Sequence, residues 1–259
     1  MLDIPTLILV AGTFLIAGTV KGVIGLGLPV ISLGLLTATL DLTSAMALLL
    51  LPSFVTNLWQ AVVGGHFAAL LSRIWLFLLM AISFVWLGAM ALTQVDLALL
   101  SALLGVLLIA YSVFSLVGFR LTVSMGQEVW VGPLLGTING ILTGMTGAFT
   151  VPGVMYLQSI GLPRDQLIQA MGMLFMVSTL ALGLALQTNG LLTTELGALS
   201  ASAIVPALVG MGVGQKIRQR LSEALFRKVF SSRCWCWEAT SFSMPPSPFT
   251  EFASIHLEN

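Results

Sequence analysis

The sequence predicts an all-α fold: a polytopic helical membrane protein with two internal repeats in inverted orientation, each opening with a Gly/Pro-broken helical hairpin. Three observations carry this. Of the 259 residues, 58% are hydrophobic and only 8% are charged, whereas an ordinary soluble domain is about a quarter charged. Apolar stretches recur near 5–38, 42–63, 74–95, 97–119, 129–161, 166–188 and 196–215, with Lys21 the one charged residue inside them, and about 20 apolar residues suffice to cross the hydrocarbon layer. Finally, the chain resembles itself at an offset that starts at 118 residues.

The first stretch opens as "MLDIPTLILV", with Asp3 and no basic flank. It is too long for a signal-peptide core and is expected to be retained. At 34 residues it is also too long for one straight crossing, since 1.5 Å per residue gives about 51 Å. The 129–161 stretch is similar, and both contain glycines and a proline. Each is expected to form a hairpin of two limbs of about 15 residues, reaching only about 22 Å, with a tip that stops inside the bilayer. The stretches at 42–63, 74–95, 97–119, 166–188 and 196–215 are expected to be single crossings.

"GTVKGVIG" from Gly18 pairs with "GTINGILTG" from Gly136, Pro29 with Pro152, "SAMA" (Ser44–Ala47) with "QAMG" (Gln169–Gly172), and Gly65 with Gly190, the offset growing to 125. Such duplication is usual in transporters. It divides the chain into a first membrane repeat at 1–119, a second at 120–230 whose final helix is missing, and an atypical tail at 231–259. The tail is rich in Ser, Pro and Trp and has no membrane-length run. It reads as an altered terminus and is expected to be poorly ordered.

Loop charges set the topology. If each hairpin returns to its starting side, Arg73, Arg120, Arg164 and the Lys216, Arg218, Arg220 cluster share one face, and Asp41, Asp96 and Glu195 the other. The basic face is then cytoplasmic and Asp3 lies outside. Treating the long runs as single crossings gives parallel repeats instead and splits the basic residues.

In the inverted arrangement Lys21-Gly22 and Asn139-Gly140 are expected to approach one another near the midplane, where such proteins hold substrate. Gly22, Gly25, Gly27, Gly140, Gly144 and Gly147 would let exposed backbone approach a ligand. Inward helix N-termini favour an anion, and Lys21 would add a full positive charge. Against this, Gly18-x-x-x-Gly22 and Gly136-x-x-x-Gly140-x-x-x-Gly144 also fit helix packing without a ligand, and a lysine near a helix end can snorkel to the interface. A lysine at depth is costly and marks a functional site.

"GTVKGVIGLGLPVISLGLL", "LLLLPSFVTNLWQAVVGG" and "GTINGILTGMTGAFTVPGVMYLQSIGLPRD" resemble the sulfite exporter TauE/SafE family of membrane permeases over about residues 8–230. The resemblance implies export of sulfite, organosulfonates or related small carboxylates across a bacterial inner membrane. It places the family's glycine-and-proline motif at Gly22, Gly25, Gly27 and Pro29 and at Gly140, Gly144, Gly147 and Pro152. The tail departs from the family, which ends in a final membrane helix.

Among other polar residues, Asn57 could serve a substrate or a neighbouring helix, while Gln60 is expected to bond a helix. Thr143, Thr146 and Thr150 are expected to bond their own i−4 carbonyls. Tyr156 is expected in an interfacial belt, and Gln158 beside it could line the path. His66 and Arg73 are placed in a loop. Met171–Met176 read as gap-filling core. No histidine or carboxylate set stands at metal-ligand spacing, and Cys234 with Cys236 does not complete a site, so no cofactor or metal is expected. Nucleic acid is not expected as a partner, since net charge is zero and no basic block precedes Lys216.

The partners expected are therefore a small anion and the lipid bilayer, with a homo-oligomer left open. No Walker motif supports ATP drive. The absence of a carboxylate well inside a stretch favours anion exit along the inside-negative potential. An intramembrane enzyme lacks a visible catalytic set. A structural membrane subunit is the other alternative, and it would not need a lysine at depth.

Overall fold

A computed structural model describes residues 4–117 and 122–220, and every regular element among them is helical. In chain order these are α1 (Ile4–Ile24), α2 (Leu28–Thr37), α3 (Leu42–Val62), α4 (Phe67–Ser83), α5 (Val85–Gln94), α6 (Leu97–Val117), α7 (Met125–Thr146), α8 (Gly153–Ser159), α9 (Arg164–Thr188), α10 (Thr194–Ser202) and α11 (Ile204–Arg220). Five spans are long and apolar enough to cross a membrane: 4–23, 42–62, 67–94, 165–188 and 194–217. The 231–259 tail, its cysteines, Asp3 and Arg120 lie outside the described residues.

Both long runs are broken, but not into equal limbs. The first divides into 21 and 10 residues and the second into 22 and 7, so α1 alone is about 31 Å long. The expectation of two 15-residue limbs is corrected: the break falls where the chain locally cannot stay helical. Gly25 and Gly27 take left-handed φ of 87° and 112°, and Pro29, lacking an N–H, is accommodated in the first turn of α2. In the second run Gly147 closes α7 at φ 72° and α8 starts directly after Pro152.

Caps set other ends. The Asp41 side chain accepts from the Ser44 N–H at the start of α3, and Gln127 Oε1 accepts from the Ser124 N–H at the start of α7. The span predicted from 74 begins earlier, at Phe67, because Arg73 is carried inside α4 by an ion pair with Glu128 at 2.6 Å. Arg73 and His66 are thus not both loop residues: His66 is the residue preceding α4.

Glycine seams fix the helix directions. A Cβ on Gly18 would overlap the Ala207 backbone and one on Gly22 the Met211 backbone, so α1 and α11 advance together, in parallel. Gly136, Gly140 and Gly144 likewise meet Phe77, Ala81 and Val85, making α7 parallel to α4–α5. Between α3 and α9 the order reverses, since Gly172 meets Gln60 and Ala61 while Gly183 meets Leu50. These helices cross antiparallel.

The short connections at 63–66 and 189–193 reverse the chain. Hence α1, α3 and α10–α11 run one way, and α4–α5, α7 and α9 the other. Because α1 and α3 agree in direction, α2 returns the chain to the side it left. The second broken pair closes the same way: the Val123 N–H, just before α7, donates to the Ser159 carbonyl at the end of α8 at 2.9 Å.

This arrangement sorts the charges. The face holding the starts of α4, α7 and α9 and the end of α11 carries Arg73, Glu128, Arg164, Asp165, Lys216, Arg218 and Arg220, while the opposite face carries Asp41, Asp96 and Glu195. The buried residues of α3 and α9 are mixed in character, Leu49, Ser53 and Asn57 on α3 and Phe175, Ser178 and Leu182 on α9. Exposed large apolar residues such as Trp130, Trp75, Ile109 and Leu99 cover the outside, as contact with lipid tails requires.

Candidate functional site

The site starts at the last turn of α1, where Lys21 is only 2% exposed. Its stem does not lead to water. Lys21 Nζ donates to Thr56 Oγ1 at 3.0 Å and to Asn57 Oδ1, both on α3, so its hydrogen-bond partners among the described residues are neutral. Thr56 Oγ1 in turn donates to the Pro52 carbonyl at 2.7 Å. That hydroxyl has spent its proton within its own helix, which leaves its lone pairs facing the lysine.

The turn after Lys21 is anchored by Gln60. Its Nε2 donates to the Gly25 carbonyl at 3.0 Å and to the Ile168 carbonyl on α9 at 2.7 Å, the interhelical role expected for it. Gln169 makes the neighbouring crosslink: Nε2 donates to the Ala61 carbonyl at 2.8 Å, and Oε1 accepts from the His66 N–H at 3.1 Å. Two amides thus tie the break in α1, the end of α3 and the start of α9 together. They satisfy carbonyls that a broken helix leaves without partners.

In the second half Asn139 is completely buried. Its Oδ1 accepts from the Gly153 N–H at 2.9 Å and so caps the first turn of α8 beside Pro152. Its Nδ2 has no hydrogen-bond partner among the described residues, and neither does Nδ2 of Asn57. Lys21 and Asn139 lie 118 residues apart in the sequence, one on the helix before each break.

The glycines do not all face this region. Gly22 packs on α11, Gly140 on α4 and Gly144 on α5, each so closely that a Cβ would overlap backbone. Lys21-Gly22 and Asn139-Gly140 therefore do not meet through their glycines, because these are spent on the parallel seams. Gly25 and Gly27 form the first break, and Gly147 packs against Met46 at the start of α3. Pro29 is buried in the first turn of α2.

Thr146 bonds the Leu142 carbonyl, four residues back, at 2.7 Å. Thr143 instead donates to the Ala148 carbonyl at 3.3 Å, helping to close α7. Tyr156 is buried rather than interfacial, its ring 4.7 Å from that of Phe77. The expected aromatic belt does not include it, because α8 is folded inside the bundle. Gln158 is exposed.

Sequence reasoning missed Thr56, Gln169 and the serines Ser53 and Ser178. Both serines are completely buried, and neither hydroxyl has a partner among the described residues. The signal was present: the offset of 125 that pairs Ser44–Ala47 with Gln169–Gly172 also pairs Ser53 with Ser178.

A comparison of the chain with family profiles matches the sulfite exporter TauE/SafE profile over residues 10–234. No curated protein and no solved structure matches it.

Proposed function

The chain belongs to the sulfite exporter TauE/SafE family of membrane transporters, and on that premise we propose that it is a secondary permease that moves sulfite, organosulfonates or related small carboxylates out of a bacterial cell across the inner membrane. The supporting observation is Lys21, held at the end of a membrane-length helix, whose hydrogen-bond partners among the described residues are the neutral Thr56 and Asn57. A lysine charge in a dry site needs a counter-charge, and a small anion can supply it during passage. The amides of Asn57 and Asn139, with donors still free, add hydrogen bonds that an oxyanion accepts.

Two copies of one fold in opposite orientation explain why Lys21 and Asn139 flank the α3–α9 crossing from opposite sides. The basic-rich face is cytoplasmic by the bias of Lys and Arg. An anion leaving from that face moves down the inside-negative potential, which contributes about 2.3 kcal/mol per charge per 100 mV. The residues proposed to line the path are Lys21, Asn57 and Asn139, with the breaks at Gly25, Gly27, Pro29, Gly147 and Pro152 holding them in place. Gly22, Gly140 and Gly144 act as packing positions that keep the scaffold closed.

The test is efflux from proteoliposomes loaded with sulfite, a sulfonate or a small carboxylate, with an imposed potassium-diffusion potential. Wild-type protein should release at least one of these anions, and faster when the interior is negative. Lys21→Met should reduce that flux by tenfold or more while the protein still purifies as a folded species. Unchanged flux in Lys21→Met would remove the lysine from the path.

A further inference from the structure

Most buried hydroxyls in this bundle follow the usual habit of membrane helices and bond a carbonyl three or four residues back. Thr179 donates to Phe175 at 2.6 Å, Ser32 to Leu28 at 2.5 Å and Thr56 to Pro52 at 2.7 Å. Ser53 and Ser178 do not. Each is completely buried and each hydroxyl is without a partner among the described residues, although each has a carbonyl four residues earlier in the same helix. A hydroxyl isolated in this way has given up its bonds to water for nothing in return, so a purely structural position would favour alanine.

Their placement is also specific. With Gly172 against Gln60 and Ala61, and Gly183 against Leu50, the antiparallel register puts Ser53 and Ser178 at levels within about one helical turn along the α3–α9 crossing. Asn57 stands one turn from Ser53 on the same face of α3, and its Nδ2 is unpartnered. The amide Nδ2 of Asn139, on the other side of the crossing, is the fourth. Among the described residues these two hydroxyls and two amide groups have unused donors, and one further unpartnered hydroxyl, that of Thr37, lies apart at the end of α2.

We infer that Ser53 and Ser178 form a central oxyanion site at the α3–α9 crossing, between Lys21–Asn57 on one side and Asn139 on the other, so that a permeating anion passes from one set of donors to the next. This rests on the permease reading above. The donor chemistry selects the sign of the ligand: hydroxyl oxygens could hold a cation, but an amide NH2 group only donates, and two such groups flank the serines. A sulfite, sulfonate or carboxylate oxygen accepts from all four. Neutral donors also bind an anion less tightly than a second lysine would, so it can be released.

The experiment uses full-length protein in proteoliposomes and measures initial sulfite efflux against internal sulfite concentration for wild type, Ser53→Ala, Ser178→Ala and the double variant. Ser83→Ala is the control, because that hydroxyl lies outside the site and bonds the Leu79 carbonyl at 2.8 Å. Each single variant should raise the KM for sulfite about tenfold, the size expected for one hydrogen bond to a charged group. The double variant should raise it by less than the product of the two, since both hydroxyls hold one ligand. Thermal unfolding in detergent should be unchanged or shifted upward in both single variants, because an unpartnered hydroxyl is removed.

If both serine variants keep the wild-type KM while wild type transports, the central site is overturned and the permease reading stands. A lowered melting temperature with unchanged KM overturns it as well, showing the hydroxyls to be structural. If wild type carries no sulfite, sulfonate or carboxylate, the permease reading fails and this inference with it. Efflux that requires sodium, with a raised sodium KM and an unchanged sulfite KM in the serine variants, would make the pair a cation site and overturn the assignment.

Discussion

An ordinary lysine in the last turn of a membrane helix runs its stem outward until the ammonium reaches water. Lys21 has the sequence position for this and does the opposite, because Thr56 and Asn57 on α3 offer oxygens inside the bundle. That choice was not legible from "GTVKGVIG", which is compatible with both outcomes. Asp41 illustrates the reverse, a residue whose role follows from local sequence. Burial raises its carboxyl, but hydrogen bonds from the Ser44 hydroxyl at 2.5 Å and the Ser44 N–H at 2.9 Å outweigh this and hold it below the usual carboxylate range. A folded-state value below the unfolded one, about 3.9, gives a stabilisation that is complete above pH 4 or so and is lost as pH falls through the lower folded value. Asp41→Ala is expected to cost about 1 kcal/mol at neutral pH as a lost helix cap. Melting temperatures in detergent between pH 7 and pH 3 should show a smaller acid-induced drop for that variant than for wild type.

At the scale of elements, glycine decides which helices can touch. A Cβ on Gly22 or Gly214 would overlap backbone across the α1–α11 seam, whereas Gly12 on α1 and Gly212 on α11 have open space. Gly22→Ala and Gly214→Ala should each destabilise by about 1–3 kcal/mol through overpacking. Gly12→Ala and Gly212→Ala should be neutral or stabilising by up to about 1 kcal/mol, since alanine is the better helix former. Melting in detergent distinguishes the two pairs. Prolines act at the same scale. Pro52 cannot donate to the Leu48 carbonyl four residues earlier, and Ser200 on α10 takes that place, donating at 2.9 Å while accepting from the Leu51 N–H at 3.2 Å. Ser200→Ala is expected to lower stability by about 1–3 kcal/mol by leaving that carbonyl buried and unpaired. The loss should be measurably smaller in a Pro52→Ala background, where the helix can make its own bond.

For the whole molecule the consequential property is direction. Parallel seams α1–α11 and α7–α4/α5, joined by an antiparallel α3–α9 crossing, give corresponding elements of the two halves opposite orientations. Single cysteines in a Cys234→Ser, Cys236→Ser background test this. One placed at His66 or Asp165 should react with a membrane-impermeant maleimide only from the cytoplasmic side, and one at Asp96 or Glu195 only from the outside. Reaction of all four from one side would reverse the direction assigned to at least one half. The Arg73–Glu128 pair, at 2.6 Å with a further bond from Arg73 to the Ile160 carbonyl at 2.8 Å, ties α4, α7 and the end of α8 together on the basic-rich face.

By itself the sequence determined the class, the family and the two interruptions. An apolar composition with almost no charge leaves helices across a bilayer as the solution in which every backbone group is paired, and paired glycines and a proline mark where such helices must break. It did not determine the limb lengths, the destination of Lys21 or the grouping of Ser53 with Ser178. Those depend on register between helices far apart in the chain, and register is set by which small residues let two backbones meet. A repeat offset can pair Ser53 with Ser178 in sequence, but only the antiparallel crossing of α3 and α9 brings them to the same level in the bundle.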